Sequence, residues 1–383
     1  MAESTYDQYE GFQVESPATY KTFHRKRFNT KPFGELDVEI QIECCGVCSS
    51  DIHTINGGWG QTNFPLAVGH DNGNLEIVGK ALRVGSKVTK IKAGQRVGVG
   101  AQSWSCMECV ACLNDNETYC PKQMDTYGAV WPDTGIVTQG GFSSHVRTHE
   151  HCPFNTLTRY AILDRVFPIP DAIPSELAAP MLCAGITMYS PLVRNGAGPG
   201  KKVAIVGLGG LGHYGVIWAK ALGAETWVIS RSHAKEKDAE KMGADGFLAT
   251  QDQGWNQAHK MTFDLIVSTA NSFGGGFDLQ AYLQLLKVHG KFVSTGVPED
   301  SKLEITPQML NFNGCFVGAS HLGSRREMLD MLELAAKKRV KSWVETLPIS
   351  EENLSQAVQR LEKNDVHYRF TMVDYDKAFE ERS

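Results

Sequence analysis

The ten residues 44–53 carry three thiols, two hydroxyls, a carboxylate and an imidazole, and they follow an alternating, strand-like run at residues 38–42. A thiolate is a good zinc ligand, and a hydroxyl, a carboxylate and an imidazole just after it can move a proton away from a bound oxygen. The pattern therefore predicts an active site at a strand end, in which Cys48 is a zinc ligand and Ser50, Asp51 and His53 are the candidate proton-transfer groups.

A zinc ion at Cys48 needs further ligands from distant parts of the chain. The candidates are His70, which follows a glycine, and Cys183, which lies in the apolar and small-residue run 180–185. Three protein ligands would leave a fourth position open for substrate, as is typical of catalytic zinc.

A second group of thiols follows the pattern C-x2-C-x2-C-x7-C, at Cys106, Cys109, Cys112 and Cys120. The residues between these cysteines show no apolar periodicity, which predicts an irregular lobe, residues 104–121, held by a structural zinc ion with no open position. The alternatives are metal-free thiols and an iron–sulfur cluster, since Cys120 precedes a proline. In the bacterial ferredoxin run, however, the last cysteine follows after three residues and serves a second cluster.

A glycine-rich motif lies between an apolar strand-like run at 203–206 and an apolar helix-like run at 216–222. In the pattern G-x-G-x-x-G, the glycines permit a tight turn, close approach of a pyrophosphate and close packing of helix on strand. The helix N-terminus then attracts the phosphates. The predicted dinucleotide-binding residues are Gly207, Leu208, Gly209, Gly210, Leu211 and Gly212.

The end of the next predicted strand indicates which dinucleotide binds. An NAD enzyme places a carboxylate there for the ribose hydroxyls, but this chain has Ser230, Arg231 and Ser232, with Lys235 close behind. A guanidinium, two hydroxyls and an ammonium suit a 2′-phosphate, so NADP is favoured over NAD. The alternative is a solvated basic turn.

Composition limits the classes of partner. The 383 residues include 38 basic and 43 acidic side chains, without a long single-sign run or an apolar run long enough to span a membrane. We therefore expect a small-molecule substrate, no nucleic acid, no membrane association and a cytoplasmic location. Seven of the ten cysteines lie between Cys44 and Cys120, which favours metal ligands and free thiols over disulfides. Cys44 and Cys45 are predicted core residues.

The order of predicted elements indicates two domains. Short β-rich runs with glycine and proline punctuation fill the first hundred residues, whereas strands and apolar helices alternate from Lys201 to about residue 319, which predicts a parallel sheet. A helix-like stretch follows at 325–338.

Together these motifs resemble the zinc-dependent medium-chain alcohol dehydrogenases, particularly the cinnamyl-alcohol-dehydrogenase type and the fungal NADP-dependent alcohol dehydrogenases. The resemblance implies an α/β fold with a GroES-like β-rich catalytic domain, residues 1–175 and 319–383. A Rossmann NADP-binding domain with a doubly wound parallel sheet, residues 176–318, would lie between these segments. It also implies a homodimer with two zinc ions per chain.

The resemblance also implies roles for individual residues. Cys48, His70 and Cys183 would bind the catalytic zinc, and Asp51 would hydrogen-bond the metal-binding histidine. Ser50 would receive the proton of the alcohol, and His53 would pass it to solvent through the nicotinamide ribose. The expected reaction transfers hydride between NADPH and aromatic or medium-chain aldehydes and alcohols.

Two insertions depart from the family pattern. In the family a glutamate follows the metal-binding histidine directly, whereas residues 71–75 separate His70 from Glu76. This insert could loop outward and return the chain to register, or it could displace His70, with Asp71 or Glu76 as a replacement ligand; we place Glu76 near the metal. A second insert spans residues 152–165. We hypothesise that both are retained non-coding sequence or gene-model errors.

Two other functions are compatible with these motifs. One is a non-catalytic, zinc-stabilised NADPH-binding protein in which the insert 71–75 has destroyed the catalytic zinc site. It would hold one zinc ion, and the enzyme would hold two. The other is a quinone oxidoreductase of the same fold, although such enzymes generally lack these metal ligands.

Overall fold

The structure is a computed structural model that describes residues 7–71, 74–100, 102–150, 166–274, 276–299 and 302–380, with the side chains of residues 70, 71, 74 and 75 excluded. The chain divides into two compact units. The first comprises Met1–Cys183 and Ser324–Ser383, and the second comprises Ala184–Gly323. The divisions predicted from sequence were 175/176 and 318/319.

The strands, in chain order, are β1 (Gln8–Gln13), β2 (His24–Asn29), β3 (Asp37–Val47), β4 (His70–Asp71), β5 (Asn74–Leu75), β6 (Ile77–Val84), β7 (Arg96–Val99), β8 (Gln102–Trp104), β9 (Met124–Asp125), β10 (His145–His149), β11 (Val166–Pro168), β12 (Lys202–Val206), β13 (Glu225–Ser230), β14 (Gly246–Ala249), β15 (Phe263–Ser268), β16 (Leu286–Ser294), β17 (Phe316–Ala319), β18 (Val344–Pro348) and β19 (Arg369–Val373).

The α-helices are α1 (Ser49–Ile55), α2 (Val110–Leu113), α3 (Ser175–Ala178), α4 (Ala184–Arg194), α5 (Gly210–Leu222), α6 (Glu236–Lys241), α7 (Leu279–Leu283), α8 (Pro307–Asn311), α9 (Arg325–Lys338), α10 (Glu351–Glu362) and α11 (Tyr375–Phe379). Short 3-10 helices at Pro17–Thr19, Glu117–Tyr119, Ala179–Leu182, His233–Lys235 and Gln257–His259 complete the helical elements in the described part of the chain.

The first unit is built on a seven-stranded sheet in the order β11-β7-β6-β3-β19-β18, with β10 also paired to β3. Along β3, Val38, Ile40 and Ile42 are buried at alternate positions, as expected for a strand with one face in a core. From Cys44 onward both faces are buried, because the 3-10 helix Ala179–Leu182 packs across β3, β6, β7 and β19. The structure thus buries both Cys44 and Cys45, as predicted.

Helices α9 and α10 of the same unit have the spacing of amphipathic helices. In α10, Leu354, Ala357, Val358 and Leu361 are buried at the i, i+3, i+4, i+7 positions. Helix α9 begins after Ser324 because its hydroxyl accepts from the Glu327 amide while the Glu327 carboxylate accepts from the Ser324 amide. Its bounds match the predicted helix.

The second unit contains a six-stranded parallel sheet in the order β14-β13-β12-β15-β16-β17. The strand order reverses between β12 and β15, which is the arrangement of a doubly wound sheet whose ligands bind at the carboxyl ends of the strands. The parallel sheet predicted from the alternating texture of the sequence is confirmed.

Candidate active site, metal centres and cofactor site

The short helix α1 explains how the cysteine-rich segment is held. The predicted strand end is correct, but Ser50, Asp51 and His53 lie on a helix that starts immediately after Cys48. Asp51 is fully buried; its Oδ2 accepts from the Cys48 amide at 2.9 Å, and its Oδ1 accepts from the Gly69 amide at 2.9 Å. One carboxylate therefore fixes the backbone of Cys48 relative to the backbone that leads into His70.

A residue that the sequence analysis missed, Arg369, occupies the centre of this site. Its guanidinium, in β19, is buried; Nη1 donates to Sγ of Cys48 at 3.1 Å, and Nη2 donates to Oε1 of Glu76. The signal in the sequence was a charged residue at the start of a mostly apolar strand, Phe370 to Val373, because such a charge is buried only when it is paired.

Arg369 interacts electrostatically with several of the predicted metal ligands. Burial acts to lower the pKa of Arg369, but the negative charges at Cys48, Glu76 and Cys183 outweigh it and raise that pKa well above its usual range. Cys48 and Cys183 are both buried, and Cys183 directly follows the 3-10 helix that packs across the sheet. Two thiols and a carboxylate that are distant in sequence therefore interact electrostatically with one buried cation.

The two ends of the insert 71–75 lie in a short antiparallel ladder. The backbone of β4 pairs with β5, His70 opposite Leu75 and Asp71 opposite Asn74. Beyond it, Ile77 pairs with Cys45, and the Gly46 amide donates to the carbonyl of Glu76 at 3.0 Å. The pairing brings the two ends of the insert together, so Glu76 enters the sheet beside His70 despite the five intervening residues. The second insert, 152–165, lies outside the described residues.

The Glu76 side chain is packed against Gly46. A Cβ on Gly46 would lie 1.5 Å from Oε2 of Glu76, so no other residue fits there without displacing this carboxylate. Glu76 is fully buried. The glycine two residues before Cys48 therefore allows a carboxylate to lie beside the candidate metal centre.

The proposed proton-transfer residues Ser50 and His53 are three positions apart on α1, which places them on one side of the helix. Ser50 is buried, whereas His53 is partly exposed and its ring centroid lies 4.8 Å from that of Trp59. A buried hydroxyl followed by a more exposed imidazole has the order that proton transfer toward solvent requires.

The four cysteines of the lobe converge. Their sulfur atoms all lie within 4.8 Å of one another, with Cys106 Sγ to Cys120 Sγ at 3.5 Å and Cys109 Sγ to Cys112 Sγ at 3.6 Å. These separations are far too long for disulfides. They approach the edge of about 3.8 Å that a tetrahedron of sulfurs around zinc would have. The donor set therefore fits a structural zinc ion.

The lobe is less irregular than predicted, because it contains α2 and the 3-10 helix Glu117–Tyr119. Buried Glu117 accepts from the backbone amide of Arg325 at 2.6 Å, at the start of α9. The pKa of Cys106 is lowered to about 7, because hydrogen bonds from the Glu108 and Cys109 amides and from neighbouring thiols outweigh its burial. A thiolate at Cys106 favours metal binding.

The glycine-rich turn has the shape that a pyrophosphate needs. Gly207 has φ of +86°, and a Cβ on Gly212 would lie 1.8 Å from the carbonyl oxygen of Gly207. Gly209 precedes α5, and no atom lies within 4 Å of where its Cβ would be. Thr269, which the sequence analysis did not identify, donates from its hydroxyl to the Val206 carbonyl at 2.9 Å and so supports this turn. The backbone cradle fits a dinucleotide.

The basic residues predicted for the 2′-phosphate lie next to that turn. β12 and β13 are parallel neighbours, with Val206 opposite Ile229, so Ser230 and Arg231 follow at the carboxyl end of the adjacent strand. Nζ of Lys235 donates to the carbonyl of Leu208 at 2.8 Å. Burial lowers the pKa of Lys235. Ser232 precedes the 3-10 helix that carries Lys235.

Comparison with known proteins agrees with this interpretation. Residues 34–156 match the family model for the alcohol dehydrogenase GroES-like domain, and residues 210–337 match that for zinc-binding dehydrogenases. The chain is 47% identical to NADP-dependent alcohol dehydrogenase 6 of Saccharomyces cerevisiae over 375 residues, 97% of this chain and 98% of the relative.

Two solved structures are also similar. A cinnamyl alcohol dehydrogenase of Sorghum bicolor aligns with a TM-score of 0.86 and 34% identity, covering 96% of this chain and 98% of the other. A cinnamyl alcohol dehydrogenase of Helicobacter pylori, complexed with NADP(H), aligns with a TM-score of 0.84 and 29% identity, covering 96% and 99%.

These similarities confirm the predicted fold class, enzyme class and cofactor classes, zinc and NADP, and they favour an enzyme over the non-catalytic alternative. Within the described residues, no single helix is long and apolar enough to cross a membrane; one bent pair, Ser175–Leu182 with Ala184–Arg194, meets the length and composition criteria together. The chain belongs to the zinc-dependent medium-chain alcohol dehydrogenases, with relatives of the cinnamyl-alcohol-dehydrogenase type.

Proposed function

We propose that this chain reduces aromatic and medium-chain aldehydes with NADPH and oxidises the corresponding alcohols in the reverse direction. The observation that carries the proposal is the buried guanidinium of Arg369, which contacts Cys48 and Glu76 and also interacts electrostatically with Cys183. A zinc-dependent dehydrogenase needs such a buried set of anionic donors, whereas a protein that only binds NADPH does not.

At the catalytic centre, we assign the zinc ligands to Cys48, His70 and Cys183. Asp51 holds the backbone on both sides of this set, at Cys48 and Gly69. When bound, zinc polarises the aldehyde oxygen as a Lewis acid, and NADPH supplies the hydride. Glu76 lies beside the same centre, and Arg369 balances the negative charge of the thiolates.

Ser50 and His53 move the proton. The buried hydroxyl of Ser50 gives a proton to the forming alcohol and takes it back in the reverse direction, and the partly exposed His53 exchanges that proton with solvent. A second zinc ion at Cys106, Cys109, Cys112 and Cys120 stabilises the lobe without taking part in the reaction.

NADP selectivity is assigned to Ser230, Arg231, Ser232 and Lys235, and the residues 207–212 receive the pyrophosphate. Arg231 is exposed at the carboxyl end of β13, where its guanidinium can bind the 2′-phosphate with two parallel hydrogen bonds.

The test is the initial rate of nicotinamide oxidation by the purified chain with cinnamaldehyde, measured with NADPH, with NADH and after zinc chelation. We expect chelator-sensitive turnover that favours NADPH, and we expect Arg231→Asp to raise KM for NADPH far more than for NADH. Folded protein that binds NADPH but shows no turnover would contradict the enzymatic proposal and favour the non-catalytic alternative.

We further propose a homodimer formed at the edge of the second unit. In the described part of its sheet, β17 is the last strand, and Phe316 on it is 59% exposed. Phe312 and Val288 nearby in the same unit are also largely exposed. An edge strand with exposed apolar side chains favours pairing with a second copy.

The dimer is tested by analytical ultracentrifugation. We expect the mass of a dimer for the native chain and of a monomer for Phe316→Glu. Val110→Glu, in the cysteine lobe, alters another highly exposed apolar residue and serves as the control that stays dimeric. A dimer that persists in Phe316→Glu would contradict this interface.

We also propose a cytoplasmic location, because none of the nine cysteines among the described residues is in a disulfide and four of them converge as metal ligands, which suits a reducing compartment. Fractionation of cells that express the tagged chain tests this, and recovery in an oxidising compartment would contradict it.

A further inference from the structure

The side chain of His233 joins two carboxylates at the edge of the basic turn. Its Nδ1 lies 2.8 Å from Oε2 of Glu236, and its Nε2 lies 3.0 Å from Oδ2 of Asp252. Ionised carboxylates only accept hydrogen bonds, so an imidazole bonded to one at each nitrogen must carry both protons. The geometry therefore describes a cationic His233 held between two anions.

This cluster is adjacent to the residues assigned to the 2′-phosphate. His233 directly follows Ser232 and begins the 3-10 helix that ends at Lys235. The segment that leads to Asp252 runs alongside the same turn, because the amides of Thr250 and Gln251 donate to the carbonyls of Ser230 and Arg231 at 2.8 and 3.0 Å. Both carboxylates thus lie next to the basic turn.

The charges around His233 come from several elements. Glu236 belongs to α6, Asp252 follows β14, and Arg231 follows β13; Lys235 and Asp238 interact with each other nearby. The ring of Phe247, in β14, packs at 5.9 Å between ring centroids. Without a charge on His233, Glu236 and Asp252 would oppose a phosphate dianion at Arg231 and Lys235.

We propose that His233, as an imidazolium between Glu236 and Asp252, is a specificity-determining residue for the 2′-phosphate, and that its deprotonation weakens the preference for NADPH over NADH. The proposal rests on the proposed NADP site. His233 acts by cancelling the carboxylate charge and by holding the segment after β14 against the turn.

The direction of the pH effect follows from the contacts. Hydrogen bonds to Glu236 and Asp252 raise the pKa of His233 above its usual range. Below that raised pKa, His233 is cationic and binding of the 2′-phosphate is favoured. As the pH rises through it, His233 loses its positive charge and one of its two hydrogen bonds to carboxylates. The 2′-phosphate itself titrates near about pH 6, so it is largely a dianion from pH 7 upward.

The test measures nucleotide affinity directly, by calorimetric titration of the full chain with NADPH and with NADH between pH 7 and pH 9. We expect the ratio of the two affinities to fall about fivefold over this range, as one unit charge acts on a dianion through partly screened solvent. His233→Gln should show the low ratio at every pH, and Asp252→Asn should restore a high ratio at pH 9. His259→Gln, in the 3-10 helix Gln257–His259, is the control.

The outcomes separate this inference from the cofactor proposal. If the native chain prefers NADPH but the ratio of its affinities for NADPH and NADH does not change with pH, the role of His233 is overturned while the NADP preference stands. The same conclusion follows if that ratio changes equally in His233→Gln. A chain that binds NADH more tightly at every pH would overturn the proposed NADP preference. The imidazole carbon-bound proton resonances of His233, followed by NMR, should titrate above pH 6.5 in the native chain, and an ordinary or lower midpoint would also overturn the role of His233.

Discussion

Nη1 of Arg369 lies 3.1 Å from Sγ of Cys48, although the two residues are 321 positions apart in sequence. The same guanidinium binds Glu76, so a cation from the last strand of the first unit balances a thiol and a carboxylate from its first half. Buried charges are retained only when paired, and here the pairing joins the candidate metal centre to β19.

Replacement of this cation should destabilise the first unit. Arg369→Met leaves the buried Glu76 carboxylate without its ion pair, and we expect the free energy of unfolding to fall by about 3 to 5 kcal/mol. Chemical denaturation measures this. Arg360→Met, which removes a partly exposed arginine paired with Glu345, is the control and should cost much less. The same measurement is made on Glu76→Met and on the double variant Arg369→Met/Glu76→Met. If the double variant lost as much unfolding free energy as the two single variants together, the pairing would be contradicted.

The close contact between Gly46 and Glu76 predicts that adding a side chain at Gly46 destabilises the protein. In Gly46→Ala the new Cβ would overlap the Glu76 carboxylate, so that side chain must move, and we expect a loss of about 1 to 3 kcal/mol in unfolding free energy. Zinc content and turnover should fall as well. Gly198→Ala is the matched control, because the nearest atom lies 3.8 Å from the position that its new Cβ would occupy. Equal behaviour of the two variants would contradict the close packing.

The cysteine lobe predicts a defined loss of metal. Cys109→Ser should reduce zinc, measured by mass spectrometry of the native chain, from two ions per chain to one, and should lower the thermal midpoint. Cys315→Ser changes a buried cysteine of the second unit and should leave the zinc content at that of the native chain. Iron and visible absorption in the native protein would instead favour the iron–sulfur alternative.

The buried hydroxyl of Ser50 predicts a kinetic defect without a loss of metal. Ser50→Ala should lower kcat about 10² to 10³-fold while zinc content and NADPH affinity stay unchanged, because a proton-transfer group is removed. Ser49→Ala, at the exposed neighbouring position of α1, is the control and should retain turnover. Native kcat in Ser50→Ala would assign proton transfer to another group.

The antiparallel pairing at the ends of the first insert predicts that residues 71–75 are tolerated. Because His70 pairs with Leu75, deletion of residues 71–75 closes a gap that the backbone already bridges, and we expect two zinc ions per chain both with and without the insert. Zinc analysis of the two proteins tests this. One zinc ion in the native chain and two in the deletion variant would show that the insert destroys the catalytic site. Separately, sequencing of the expressed transcript tests whether the inserts are retained non-coding sequence.

The sequence alone determined the features that depend on local pattern. The alternation of short apolar strands and helices from Lys201 onward predicted the parallel sheet, and the spacing of Cys106 to Cys120 predicted their convergence, because ligands so close in sequence have few ways to lie apart. The glycine motif predicted its own turn, since φ of +86° at Gly207 is open to glycine at little cost.

Only the tertiary structure decided how distant residues combine. The role of Arg369 depends on β19 returning beside β3, and the position of Glu76 depends on the pairing of β4 with β5 at the ends of an insert. Neither pairing leaves a periodic signal in the chain. The contact of His233 with Asp252 likewise requires β14 to lie alongside β13. Charge pairing across a sheet is set by strand order and register, which short-range sequence patterns do not specify.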